Sequence, residues 1–301
     1  MTDYLLRDQA PLSEAEWEQV DSVAEETARR ALVGRRIVPV LGPLGAGVEV
    51  VPDYVFRGTE RGGLDLTGER EAGIVRPSEH RFLPIPLLYK DFQLHWRDLA
   101  MHHQMDLPLD TGPVATAATI VARTEDDLIF NGDAGLGYEG LLNAAGRGVL
   151  QMSDWGGLGN AFRDVVTATQ YLADAGFYGP YAVVASPRMY AALNRVYENT
   201  GVLEIEQIQK LAASGVYRSA AIPDGRALVV ATGASNMDLV VAQDLVVAYL
   251  TAENLNHLFR VLESVVLRIK RPQAIVTLEP AAPAASGEPA GRRGRAPGGG
   301  S

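Results

Sequence analysis

Five histidines, His80, His95, His102, His103 and His257, and no cysteine define the metal-binding potential of this chain. His95 with His102 or His103 is the nearest thing to a ligand pair. A zinc-type pair sits at i and i+4 on one helix with a glutamate beside it. Neither the spacing nor a nearby acidic motif is present, so these residues read as ordinary surface or interface histidines and no metal site is expected. Glu125, Asp126 and Asp127 offer carboxylates for acid–base work. Neighbouring residues on a helix point in different directions, so three adjacent acids do not converge on one substrate. They read as solvated or interface groups that would attract Fe²⁺ only weakly. Ser186 lies in Ala-Ser-Pro, outside the Gly-x-Ser-x-Gly elbow of serine hydrolases. It reads instead as the N-cap of a helix starting at Pro187. Gly132 to Gly140 is glycine-rich but follows a helix, whereas a dinucleotide loop follows a strand and opens a helix. It reads as a hinge. Trp96 has the face to stack a planar ring, although packing is the commoner use of such a ring. With no nucleophile beside a positioned base, a hydrolase is disfavoured and no catalytic residue is assigned.

The elements around these residues begin with an amphipathic helix from about Ser13 to Leu32. Ser13 and Glu16 form a capping-box pattern, and Trp17, Val20, Ala24, Ala28 and Ala31 share one face. Gly34 is read as its stop. Gly34-Arg35-Arg36-Ile37-Val38 and then Gly42-Pro43-Leu44-Gly45 carry no chemistry and read as a docking element. From about Glu49 to Phe92, short β-type runs separated by Gly, Arg and Glu suggest a long extended hairpin with a polar tip near Gly58 to Gly73. A compact domain rarely carries such an arm without a partner to receive it, and Pro84 and Pro86 suit an edge or an unpaired arm. A long helix follows over about Thr111 to Phe130, with Asp110 as its expected N-cap. Helices are expected over Asn160–Ala175, Pro187–Glu198 and Leu203–Ala213. Strands are expected over Tyr181–Ala185, Ala227–Ala231, Leu239–Ala242, Leu245–Leu250, Leu258–Ile269 and Ala274–Leu278.

Composition sets limits on function. The 301 residues are 47% hydrophobic, enough for a sizeable core. No apolar run approaches the roughly 20 residues needed to span a bilayer. The first residues lack a secretory pattern. The absence of cysteine excludes disulfides and fits a cytoplasmic location. The tail from Pro280 carries Glu288 against Arg292, Arg293 and Arg295, so the chain's net −10 sits as −12 on residues 1–279. An acidic body argues against a large nucleic-acid surface, which needs clustered Lys and Arg. The tail is rich in Pro, Ala, Gly and Arg and reads as disordered.

In this order and spacing, Pro11-Leu12 with Trp17, Gly34-Arg35-Arg36 with Gly42-Pro43, the acidic helix end Glu125 to Phe130, Gly179-Pro180-Tyr181, and Gln243-Asp244-Leu245 with Tyr249 resemble the family 1 (linocin-type) encapsulins. The likeness covers about Tyr4 to Glu279. Gly42 to Val48, Tyr89 to Asp98, Gly137 to Leu141 and Thr200 to Glu206 look most like the myxobacterial members, which enclose ferritin-like proteins and store iron. The resemblance implies an α+β chain with the HK97-type fold of tailed-phage major capsid proteins. Residues 1–49, 89–131 and 242–279 would form a peripheral domain with its N-terminal helix, long helix and terminal strands. Residues 50–88 would form the extended arm (E-loop), 132–241 the axial domain, and 280–301 the disordered tail.

The function implied is that of a non-enzymatic, self-assembling icosahedral shell protein. The partners implied are copies of itself and cargo proteins carrying a C-terminal targeting peptide, with no nucleic acid and no membrane. The resemblance places the cargo peptide at Leu12, Trp17, Arg35, Ile37, Pro39, Leu245 and Val247, with Arg35 holding a peptide carbonyl or carboxylate. Pro39 replaces an acidic residue of some relatives. The resemblance also assigns the loop Asn199, Thr200, Gly201 and Val202 to a fivefold pore. The shell would hold no cofactor, and iron would be handled by the cargo. A flavin on Trp96, seen in some members, ranks below a packing role. The rival readings are the same shell around a dye-decolorizing haem peroxidase and a prophage capsid protein, the latter disfavoured by the acidic body.

Overall fold

A computed structural model describes residues 4–58, 62–69, 73–197 and 201–280. Outside these lie residues 281–301 of the expected tail, 59–61 and 70–72 of the arm's polar tip, Glu198 at the end of an expected helix, and Asn199 and Thr200 of the expected pore. Helix α1 (Glu14–Ala31) starts at a complete capping box. The Ser13 hydroxyl accepts from the Glu16 N–H, and the Glu16 carboxylate accepts from the Ser13 N–H. Its apolar stripe, Trp17, Val20, Ala24 and Ala28, is buried. The helix stops at Leu32, whose backbone is extended, and not at Gly34. Gly34 instead opens a single turn, α2 (Gly34–Ile37). Glycine leaves room there for Ile129: a Cβ would lie 2.5 Å from Ile129 Cδ1 and force that side chain to shift.

Strand β1 (Val40–Leu41) precedes the arm, which is a ribbon of β2 (Val50–Val55) and β3 (Glu79–Pro84). Its two faces differ. Val51, Leu83, Val240 and Val266 form a small buried cluster under the ribbon. The outer face pairs Val50 with Pro84, Pro52 with Phe82 and Tyr54 with His80. Phe82 is 65% exposed there, and the Tyr54 and His80 rings are stacked at 4.5 Å.

After β4 (Leu87–Leu94) comes a helix the sequence reading missed, α3 (Trp96–Met105). Only Leu99 in it is buried, so no apolar stripe announced it. The long helix α4 (Gly112–Asn131) is capped at Thr111, one residue later than expected, and Asp110 accepts from the Gly112 N–H. The expected hinge is a tight hairpin of β5 (Gly132–Asp133) and β6 (Tyr138–Glu139). Gly132 has φ +68°, and a Cβ would lie 2.3 Å from the Tyr138 carbonyl. Next come β7 (Gly148–Gln151), α5 (Asn160–Asp174) and β8 (Tyr181–Ala185). Then follow α6 (Pro187–Ala192), shorter than expected, and α7 (Glu204–Leu211). Ser186 caps α6 by accepting from the Met189 N–H. The chain closes with β9 (Val216–Arg218), β10 (Ala227–Ala231), β11 (Met237–Glu253), β12 (Asn256–Ile269) and β13 (Ile275–Glu279).

Two larger sheets organise the described residues. A four-stranded sheet has the order β1-β11-β12-β4, and a five-stranded one has the order β7-β13-β10-β8-β9. The small residues of α4, Ala117, Ala118 and Ala122, are buried, which lets this helix approach α1 and the four-stranded sheet closely. The second core places Val165, Ala168 and Leu172 of α5 with Ile205 and Ile208 of α7 against the five-stranded sheet. Two expectations change here. The strands expected at 239–242 and 245–250 are one strand, β11, with register shifts around Gln243. Gln243 stays paired with Ser264, and Ala242 on one side and Asp244-Leu245 on the other bulge out of the ladder instead of breaking it. The last strand, expected in the peripheral domain, lies between β10 and β7 in the five-stranded sheet. Ile275, Val276, Thr277 and Leu278 are all buried, so the run suits an interior strand covered on both faces. No helix among the described residues is long and apolar enough to cross a membrane.

Candidate docking groove and its charged frame

The bulge in β11 lifts Leu245 beside α1 and opens a groove of about 700 Å³ between them. Ala24, Ala28 and Leu32 of α1 form one wall, and Leu245, Val246 and Val247 form the other. Small side chains on α1 make the trough. Leu5 and Arg7 close one end, with the Leu5 carbonyl accepting from the Tyr249 N–H at 2.9 Å. The charges on the rim are paired among themselves. Arg7 donates to both Asp21 oxygens at 2.7 Å and to the Val247 carbonyl at 2.8 Å. Arg29 is bonded to Glu25. An apolar floor between self-satisfied ion pairs suits an extended peptide with aliphatic side chains.

Beneath the groove lies a buried charge cluster. Arg35 donates through Nε and Nη2 to Glu125, at 2.8 and 2.7 Å. It also donates through Nη2 to Glu263 at 2.8 Å and through Nη1 to Asp244 at 2.7 Å. The Glu125 and Glu263 side chains are 0% and 1% exposed. Burial, and then the Glu125 charge, push the Glu263 carboxyl well above the ordinary carboxylate range. The cause is geometric: two buried acids, Glu125 and Glu263, share one guanidinium. Next to it, Asp126 accepts from the Val33 N–H at 3.0 Å and the Gly34 N–H at 2.8 Å, and so holds the start of α2. Burial pushes its pKa up to about 6, against the lowering effect of those two bonds.

The geometry revises several expectations. Glu125 and Asp126 are internal framework, not solvated groups, because α4 turns them toward Arg35 and the backbone of α2. Of the expected peptide-contacting residues, Arg35, Leu245 and Val247 line the groove. Arg35 gives four of its five N–H donors to three carboxylates, so its charge is already paired where it lines the groove. Trp17 is core: its ring meets Phe259 at 5.8 Å, under the Arg7 guanidinium at 4.5 Å. Ile37 is buried, and Leu12 is partly buried against the main core. The Pro39 carbonyl accepts from the Leu239 N–H at 2.9 Å and so supports the start of the sheet. The sequence reading missed Ala24, Ala28 and Leu32, although their spacing along the α1 stripe carried the signal. Of the expected pore residues within the described part, Gly201 has φ +69° and the Val202 carbonyl accepts from the Tyr197 N–H. Trp96 is exposed at the start of α3, beside Arg97 at 5.3 Å. His102 and His103 converge on Glu16, a carboxylate 86 residues away that no local motif announced.

A sequence profile described as "Encapsulating protein for peroxidase" (Linocin_M18) matches residues 1–266. The chain belongs to this family of encapsulin shell proteins. It is 50% identical over 279 residues to the type 1 encapsulin shell protein EncA of Myxococcus xanthus, covering 93% of this chain and 97% of the relative. A diheme-cytochrome–encapsulin shell fusion protein of Kuenenia stuttgartiensis is 43% identical, over 89% of this chain and 74% of the relative. A ferritin-like–encapsulin shell fusion protein of Pyrococcus furiosus is 28% identical, over 68% of this chain and 55% of the relative. Among solved structures, the virus-like particle from P. furiosus superposes with a TM-score of 0.71 at 24% identity, covering 88% of this chain and 99% of that one. Capsids of the myovirus XM1 and of a gene-transfer agent superpose with TM-scores of 0.54 and 0.59. The encapsulin therefore has the HK97-type capsid fold, and the arm, the two sheets and the helices described above are its parts.

Proposed function

We propose that this encapsulin shell encloses a ferritin-like cargo in the cytoplasm, where the pair stores iron and limits oxidative stress. In this reading the shell is not itself an enzyme. It takes up cargo through a C-terminal targeting peptide laid along the groove between α1 and β11, and admits small solutes through pores at its symmetry axes. The observation that carries the docking part is the groove itself: an apolar floor, with its rim charges already paired, facing the β11 bulge. Such a surface selects aliphatic side chains of an extended segment. A single peptide binds weakly, but many copies on one oligomeric cargo sum to firm retention. The assembly part draws on the arm, whose outer face exposes Val50, Tyr54 and Phe82. A two-stranded ribbon with an apolar face is marginal alone and stable once covered. Neighbouring subunits in a closed symmetric shell supply that cover. The cargo class draws on the likeness to iron-storing myxobacterial shells and on the ferritin-like fusion relative.

The test is electron microscopy and mass spectrometry of the shell produced with its native gene neighbours. Dense-cored icosahedral particles that co-purify with a ferritin-like protein support the whole reading. Particles holding a haem peroxidase or a cytochrome overturn the iron assignment and keep the shell. Cargo that stays bound after loss of its C-terminal peptide overturns the groove assignment.

A further inference from the structure

We propose that Glu16, His102 and His103 form a binding site for a first-row divalent cation of the zinc type, at the junction of α1 and α3. The Nε2 atoms of both imidazoles lie close to one oxygen, Glu16 Oε1, at 2.7 and 2.9 Å. All three donor atoms fall within 4.8 Å of one another. Adjacent residues on a helix ordinarily diverge, so this convergence depends on the end of α3 lying against the start of α1.

The hydrogen bonds around the cluster assign its protons. His102 Nδ1 contacts the Leu107 carbonyl. A carbonyl only accepts, so Nδ1 carries the hydrogen. The neutral ring then presents a lone pair at Nε2 toward Glu16 Oε1, which is also an acceptor. Two lone pairs 2.7 Å apart require a positive centre between them, either a second proton or a cation. An imidazole N–H given to a backbone carbonyl is the outer-shell arrangement that orients metal-binding histidines. The carboxylate is oriented in the same way. Glu16 Oε2 accepts from the Ser13 N–H at 2.5 Å and from its hydroxyl at 2.6 Å, leaving Oε1 for the ligand.

His103 meets Glu16 Oε1 through Nε2 at 2.9 Å, as an N–H donor in one neutral tautomer and with a lone pair in the other. In the second tautomer one dication meets the lone pairs of both rings and the carboxylate at once. Two imidazoles and a carboxylate suit zinc, cobalt, nickel or copper, and not calcium or magnesium, which prefer all-oxygen shells. Metal–ligand bonds of about 2.0–2.2 Å place tetrahedral donors about 3.3 Å apart, so the two oxygen–nitrogen gaps must open by about half an ångström. His103, with its side chain 49% exposed, can open its own gap, and the larger shift falls on His102, whose side chain is 20% exposed. The exposure of His103 also gives the ion a way in and leaves coordination positions to water. This proposal does not depend on the cargo assignment.

The experiment uses untagged, cargo-free shells, stripped by a chelator and titrated with Co²⁺. The expected result is one Co²⁺ per chain, with visible bands of a nitrogen–oxygen site that Zn²⁺ abolishes. His103→Gln should weaken binding at least ~10-fold, the loss that even outer-shell changes cause. The pair His102→Gln and His103→Gln should remove the bands. X-ray absorption at the zinc edge of the loaded native shell needs no variant and should show two imidazoles. Fewer than two, no bands at one equivalent, or affinity unchanged in His103→Gln overturns the site.

Discussion

Replacing Arg35 with methionine keeps most of the side-chain volume and removes the only cation of the buried cluster beneath the groove. Glu125 and Glu263, at 0% and 1% side-chain exposure, then face each other without a counter-charge. Deleting one partner of a buried ion pair costs about 3–5 kcal/mol, because the remaining charge stays out of water. At about 2–4 °C per kcal/mol for a chain of slightly smaller size, the melting temperature should fall by about 10 °C. The deficit should depend on pH. The Glu263 carboxyl is already raised by burial and by Glu125, and losing Arg35 raises it further. A group with a raised folded pKa contributes stability that is fully present below its unfolded pKa and lost as pH rises through its folded pKa. The R35M deficit should therefore be largest near about pH 8 and shrink toward about pH 5. Calorimetry at one scan rate and one protein concentration measures it, which keeps the comparison valid for an assembly that does not refold on cooling. Adding E125Q to R35M should recover part of the loss, as groups in direct contact are not additive. A melting temperature within about 2 °C of the native shell at every pH would refute the reasoning.

Other consequences can be checked alongside it. Gly34→Ala places a methyl 2.5 Å from Ile129 Cδ1, and overpacking of this kind should cost about 1–3 kcal/mol in urea unfolding. Asp126, raised to about 6 by burial, contributes stability that is complete below its ordinary 3.8 and lost as pH rises through about 6. Asp126→Asn still accepts from the Gly34 N–H and should flatten that fall in a pH series of melting temperatures. Phe82→Glu puts a charge on the exposed outer face of the arm and should leave soluble, folded subunits in place of shells, as read by sedimentation and circular dichroism. Leu245→Lys should reduce peptide capture by the groove at least ~10-fold in a fluorescence-anisotropy titration while shells still form, about the effect of 1.4 kcal/mol.

Much of this protein was written locally. The capping box at Ser13 and Glu16, the buried stripe of α1, the alternation of β12 and the short β-type runs of the arm are all set by residues a few positions apart. Local patterns report them because helix and strand periods act over that range. The order of the motifs also carried the family. Tertiary structure decided whatever needed a partner far along the chain. Glu125 and Asp126 look like surface acids until the fold sets Arg35 and the N–H groups of Val33 and Gly34 against them. Arg35 looks like a free cation until three carboxylates from three other segments pair its charge. The last strand looks peripheral until its two buried faces place it inside the five-stranded sheet. His102 and His103 look unpaired until α3, nearly invisible in the sequence, brings them to Glu16. Charge and hydrogen-bond partners are fixed by distance in space, and distance in space is what a local pattern does not contain.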